Sequence, residues 1–124
     1  MAHIWTRHEY NEKLKSKEMW NDPHNCPFCN IYKKPEEIIW EWKNWYIIYN
    51  IFPYTGNSQH IMAIPKLHIG FASDITAEIW SEFWEVQAIA AGFFAGHEYF
   101  SCTRETLSWR SMDHYHTHFL PGTL

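Results

Sequence analysis

Apolar and polar positions along the chain fall into two periodicities. Ile38-Ile39-Trp40-Glu41-Trp42 and Trp45-Tyr46-Ile47-Ile48-Tyr49 are short runs of branched and aromatic residues, which predict strands. Only Lys43-Asn44 separates them, a spacing that suits a hairpin. A loop over residues 53–59 holds Gly56 and Asn57, and His60-Ile61-Met62-Ala63-Ile64 then predicts a third strand closed by Pro65. From about Thr76 the period changes. Ile79, Phe83, Val86, Ala90 and Phe93 recur at steps of four and three, one face of a long helix. Thr76 is placed to cap its start, Glu78 suits the positive end, and Gly92 and Gly96 mark where it weakens and ends. Residues 99–103 and 114–120 predict a fourth and a fifth strand, the last stopped by Pro121-Gly122. Near the start, residues 9–20 are rich in Glu, Lys and Leu and predict a short polar helix. Strands with short links and one long helix imply an α+β domain on a five-stranded antiparallel sheet.

Composition narrows this picture. At 124 residues the chain has the size of one domain, read here as an N-terminal arm over 1–24 and a domain over 25–124. A net charge of -4 argues against broad nucleic-acid binding, which needs Lys and Arg against phosphates, but leaves room for one small anionic ligand. The first ten residues contain no secretory apolar stretch, and the apolar runs are too short to span a bilayer. The longer segment 77–97 carries Glu78, Glu82, Glu85 and Gln87. The expectation is a cytoplasmic protein that does not engage membranes.

Candidate chemistry sits at two places. Cys26-Pro27-Phe28-Cys29 follows a turn-forming stretch, and its two thiolates are close enough to bind one metal ion. The alternative is a thioredoxin-like redox pair, but polar turn residues precede the motif and no βαβ pattern surrounds it. Cys102, in the fourth predicted strand, reads as packing. The second place is His114-Tyr115-His116-Thr117-His118-Phe119-Leu120. In a strand the three histidines would share one face, with successive rings roughly 6.6 Å apart. Three imidazoles along one line suit metal binding or phosphate chemistry.

His-Tyr-His-Thr-His-Phe-Leu resembles the signature of the histidine triad (HIT) family of nucleotidyl hydrolases and transferases. The resemblance extends to Asn50-Ile51-Phe52-Pro53-Tyr54, to the block from His60 through Ile64-Pro65-Lys66-Leu67-His68, and to Cys26-Pro27-Phe28-Cys29-Asn30-Ile31, which looks like the opening of zinc-containing members. Together these cover roughly residues 26 to 120. The resemblance implies a HIT-like fold and a role for each matching position. His116 matches the nucleophile that forms a nucleotidyl-histidine intermediate. His118 and Ser111 match residues that contact the α-phosphate, and Asn50 the ribose hydroxyls. Phe28, Ile31, Ile48 and Ile51 match positions lining the nucleoside pocket, though ordinary core packing explains them equally well.

For the metal, the resemblance nominates His68 and His114 to complete a structural Zn2+ site with Cys26 and Cys29, with His24 and His60 as competing ligands. One departure concerns the approach to the triad, where Thr103-Arg104-Glu105-Thr106-Leu107-Ser108-Trp109 replaces the family's Gly-rich stretch. Arg104 and Arg110 are candidates to supply the donors lost there. The implied activity is cleavage at the α-phosphate of AMP-linked compounds, phosphoramidates or dinucleoside polyphosphates, by a homodimer. The alternative is a purine-nucleotide-binding module of the same fold with little turnover.

Overall fold

The computed structural model of the protein describes residues 24–54, 59–103 and 113–122. The helix expected over 9–20, Ser111, Arg104 and Arg110 lie outside the described residues. The branched and aromatic runs form the expected hairpin, β1 (Ile38–Glu41) and β2 (Trp45–Tyr49). It is closed by the Trp42 N–H on the Trp45 carbonyl at 2.8 Å, with Lys43-Asn44 as the loop. β3 (Ile61–Pro65) pairs antiparallel with β2 along its whole length. The chain then leaves the sheet, returns as edge strand β4 (Tyr99–Cys102), and inserts β5 (Thr117–Pro121) between β3 and β4. The order is β1-β2-β3-β5-β4, with all neighbours antiparallel. This five-stranded antiparallel sheet with its long helix is the α+β arrangement expected from the chain.

Strand alternation sends successive side chains to opposite faces. Trp45, Ile47, Ile61, Ala63 and Phe119 join Ile79, Val86, Ala90 and Phe94 in one apolar cluster beneath the helices. Tyr46, Ile48, Met62 and Ile64 face the other way and pack on Cys26, Phe28 and Ile31. The sheet therefore has a helix face and a knuckle face, the latter named for the Cys26–Cys29 turn.

The helical region differs from the single element expected. α1 (Ala77–Trp80) and α2 (Phe83–Phe94) are separated at Ser81-Glu82. Thr76 does cap α1, accepting from the Ile79 N–H at 3.3 Å. A tertiary contact is made at the interruption. The Glu82 carboxylate reaches the β1–β2 turn, where it accepts from the Asn44 N–H at 3.1 Å and from Asn44 Nδ2. α2 runs through Gly92 and stops at Phe94, where Ala95 (φ 50°) and Gly96 (φ 85°) take left-handed backbone.

The fifth strand is a correction. It begins at Thr117, so His114 and His116 precede it. Tyr115 N–H donates to the Ile69 carbonyl at 2.6 Å, diverting residues 114–116 from the β3 ladder. The third strand likewise starts at Ile61 and the fourth ends at Cys102, each one residue inside the expected span.

Candidate active site and metal centre

Two clusters of polar side chains lie on the knuckle face, joined by the segment 114–118. The first contains Cys26, Cys29, His68 and His114, whose ligand atoms all lie within 4.8 Å of one another. The individual separations are 3.2 Å from Cys29 Sγ to His68 Nδ1, 3.5 Å from Cys29 Sγ to His114 Nδ1, and 3.6 Å from Cys26 Sγ to His114 Nδ1. A tetrahedral zinc, with bonds of about 2.3 Å to sulfur and about 2.0 Å to nitrogen, spaces its ligands about 3.3–3.8 Å apart.

The residues thus fit a closed four-ligand site. The main chain orients one of the rings for this: His114 Nε2 is 2.7 Å from the Pro65 carbonyl, so Nε2–H donates and Nδ1 keeps its lone pair toward the thiols. Burial, reinforced by the neighbouring Cys26, pushes the Cys29 thiol up to about 12. Of the competing ligands, His24 is exposed and outside the cluster, and His60 is engaged elsewhere.

The second cluster contains His116, His118, His60, Asn50 and Tyr54. His116 Nδ1 is 2.8 Å from the His114 carbonyl, which as an acceptor fixes the ring proton on Nδ1. Nε2 of the neutral ring therefore carries the lone pair. The ring is 6% exposed and sits edge-on to Phe28 at 5.3 Å and to His118 at 4.8 Å between centroids. The latter spacing is tighter than strand alternation alone predicts, because residues 114–116 are not strand. His116 is not in the metal cluster.

His118 lies in β5 and pairs in register with Met62 and Cys102. Its Nδ1 is 2.8 Å from Nε2 of His60, a fully buried ring. The Asn50 amide is oriented by the Phe52 N–H, which donates to Oδ1 at 2.8 Å; Nδ2 then lies 3.2 Å from each ring nitrogen of His60. Asn50, expected at a ribose, is thus also a buried brace for His60.

His60 and Tyr54 are what sequence reasoning missed. His60 entered only as a competing metal ligand, and Tyr54 only as part of a block. Their signal is long-range, since His60 and His118 are 58 residues apart. Cys102, read as packing, stands opposite His118 and so shares its face. Phe28, Ile31 and Ile48 are buried in the knuckle-face cluster, whereas Ile51 is partly exposed beyond β2.

No family model and no curated protein matches the sequence. Solved structures do match. A HIT family protein from Bacillus subtilis is 24% identical with a TM-score of 0.66, covering 78% of this chain and 72% of its own. A histidine triad nucleotide-binding protein from Candida albicans is 23% identical with a TM-score of 0.63, covering 76% and 72%. A HIT family hydrolase from Clostridium thermocellum is 25% identical with a TM-score of 0.64, covering 80% of this chain and 91% of its own. The chain shares the fold of histidine triad proteins over about four-fifths of its length.

Proposed function

We propose that the protein is a nucleotidyl hydrolase or transferase that cleaves at the α-phosphate through a nucleotidyl-histidine intermediate on His116. The observation that carries this reading is the 2.8 Å bond from His116 Nδ1 to the His114 carbonyl. It leaves Nε2 as the nucleophilic nitrogen and holds the proton where an acceptor can offset the positive charge that the ring gains on attack. Nε2 forms a bond to phosphorus as the bond to the leaving oxygen or nitrogen breaks. Water or inorganic phosphate then attacks the same phosphorus and restores the imidazole.

His118 Nε2–H and Ser111, which lies outside the described residues, supply donors to the non-bridging oxygens. Asn50 serves the ribose, and Phe28, Ile31, Ile48 and Ile51 shape the base side. The ligand is a purine nucleotide, in an AMP-linked compound or a dinucleoside polyphosphate. A hydrolase and a nucleotide-binding protein among the structural neighbours support the same class.

Cys26, Cys29, His68 and His114 would hold a structural Zn2+, tying the knuckle to the segment that carries His116. Residues 25–124 form the catalytic domain, with 1–24 as an arm, in a cytoplasmic homodimer. The dimer would use β4, at the sheet edge, and α2, which leaves Trp84 68% exposed. Among the described residues no helix is long and apolar enough to cross a membrane.

The test is turnover of a fluorogenic AMP ester and of a diadenosine polyphosphate, compared with His116→Ala. Removal of the nucleophile is expected to lower kcat at least about a thousandfold. A wild type that binds AMP but turns over no faster than the variant identifies a binding module instead.

A further inference from the structure

Tyr54 meets the His60–His118 pair at both ends. Its main-chain N–H donates to His60 Nδ1 at 3.1 Å, and its hydroxyl lies 3.2 Å from His118 Nε2. Its ring packs on both imidazoles, with centroids 4.5 Å from His60 and 5.1 Å from His118. The two histidines are 0% and 3% exposed, whereas Tyr54 is 38% exposed, so the phenol marks the boundary between the buried pair and the outside.

The donors set the direction of the whole chain. A main-chain N–H can only donate, so Nδ1 of His60 accepts, and the proton of the neutral ring is on Nε2. That proton is directed at His118 Nδ1, 2.8 Å away. His118 in turn carries its proton on Nε2, the edge that faces the tyrosine hydroxyl.

We infer that Tyr54 is a positioning residue for His118: its hydroxyl accepts the His118 Nε2–H in the resting protein and yields it to a phosphoryl oxygen of the bound nucleotide. The inference rests on the reading of His118 as a phosphate donor. Held by His60 at one edge and Tyr54 at the other, the ring cannot swing about its Cβ–Cγ bond. A donor already aimed costs little reorganisation when charge develops on the phosphate. With the hydroxyl gone, one edge of the ring is released and the donor must be re-aimed in each turnover.

Tyr54→Phe tests this cleanly, because the ring and the main-chain N–H to His60 both remain. In imidazole 1H–15N spectra of the resting protein, the His118 Nε2–H signal should shift and broaden through exchange with water, while the His60 Nε2–H signal stays. On a fluorogenic AMP ester kcat should fall roughly tenfold, with KM within about twofold. An unmoved His118 signal in Tyr54→Phe overturns the assignment, and so does a moved signal with wild-type kcat. If the wild type is no faster than His116→Ala, the catalytic reading fails by itself, and the spectra still decide whether Tyr54 holds His118.

Discussion

The two faces of one sheet are built on different terms. On the helix face, Trp45, Ile47, Ile61, Ala63 and Phe119 meet Ile79, Val86, Ala90 and Phe94 in a cluster with almost no polar atoms to satisfy. The Trp45 indole N–H is an exception, and it donates to the Ile79 carbonyl at 2.8 Å. Each large side chain there contributes on the order of 1.5–3 kcal/mol by leaving water. On the knuckle face, His60, His114, His116, His118 and Asn50 are buried as deeply as that core. Burying such groups is costly unless each finds a partner, and each of these does. The same β-strands thus carry a layer that supplies stability and a layer whose burial is spent on fixing ring orientations. The lesson is a division of labour by alternate residues.

That contrast can be broken in three places. Trp45→Ala should have the largest effect on stability, about 3–5 kcal/mol by denaturant titration, because a filled site is emptied and the Ile79 carbonyl loses one of its donors. Zinc content per folded molecule should not change; metal loss from the folded variant would show that the layers are not separable.

Cys26→Ser acts from the other side. It should abolish stoichiometric zinc by metal analysis and cost on the order of 2–3 kcal/mol through the lost crosslink. The pH dependence follows from Cys29. Burial and the neighbouring Cys26 raise its thiol from 9.0 to about 12, and a thiol must lose its proton to bind a metal. Zinc affinity should therefore weaken as pH falls from 8 to 6, measured by competition with a chelating dye; equal affinity at both values would remove the thiolates from the ligand set.

Trp84→Glu should alter stability least, since that side chain already faces solvent. Light scattering should nonetheless show the mass of a dimer in the wild type and of a monomer in the variant. A monomeric wild type refutes the pairing through the outer side of the helix layer.

Much of the helix face could be read from the chain. The period of Ile79, Phe83, Val86 and Ala90 and the runs around Trp45 are local patterns, and they pack as patterned. The break at Ser81-Glu82 was hidden, because the apolar positions continue in phase across it. The contact made there, the Glu82 carboxylate on Asn44, spans 38 residues.

On the knuckle face the identities of the four candidate metal ligands were legible through resemblance, and the structure brings them together. The geometry around the triad was not. A uniform strand was expected from His114, but the Ile69 carbonyl captures Tyr115 N–H and turns the chain before Thr117. The His60–His118 contact had no local signature at all, and Ser111 falls outside the described residues.

Two of the rings on the knuckle face take their orders from carbonyl oxygens, that of Pro65 for His114 and that of His114 for His116. No side-chain substitution deletes a carbonyl. A systematic replacement scan would find the imidazoles indispensable and pass over the atoms that decide which nitrogen of each carries the proton. The tautomers are inherited from the path of the main chain, so genetic drift at neighbouring positions cannot erode them without first bending the fold.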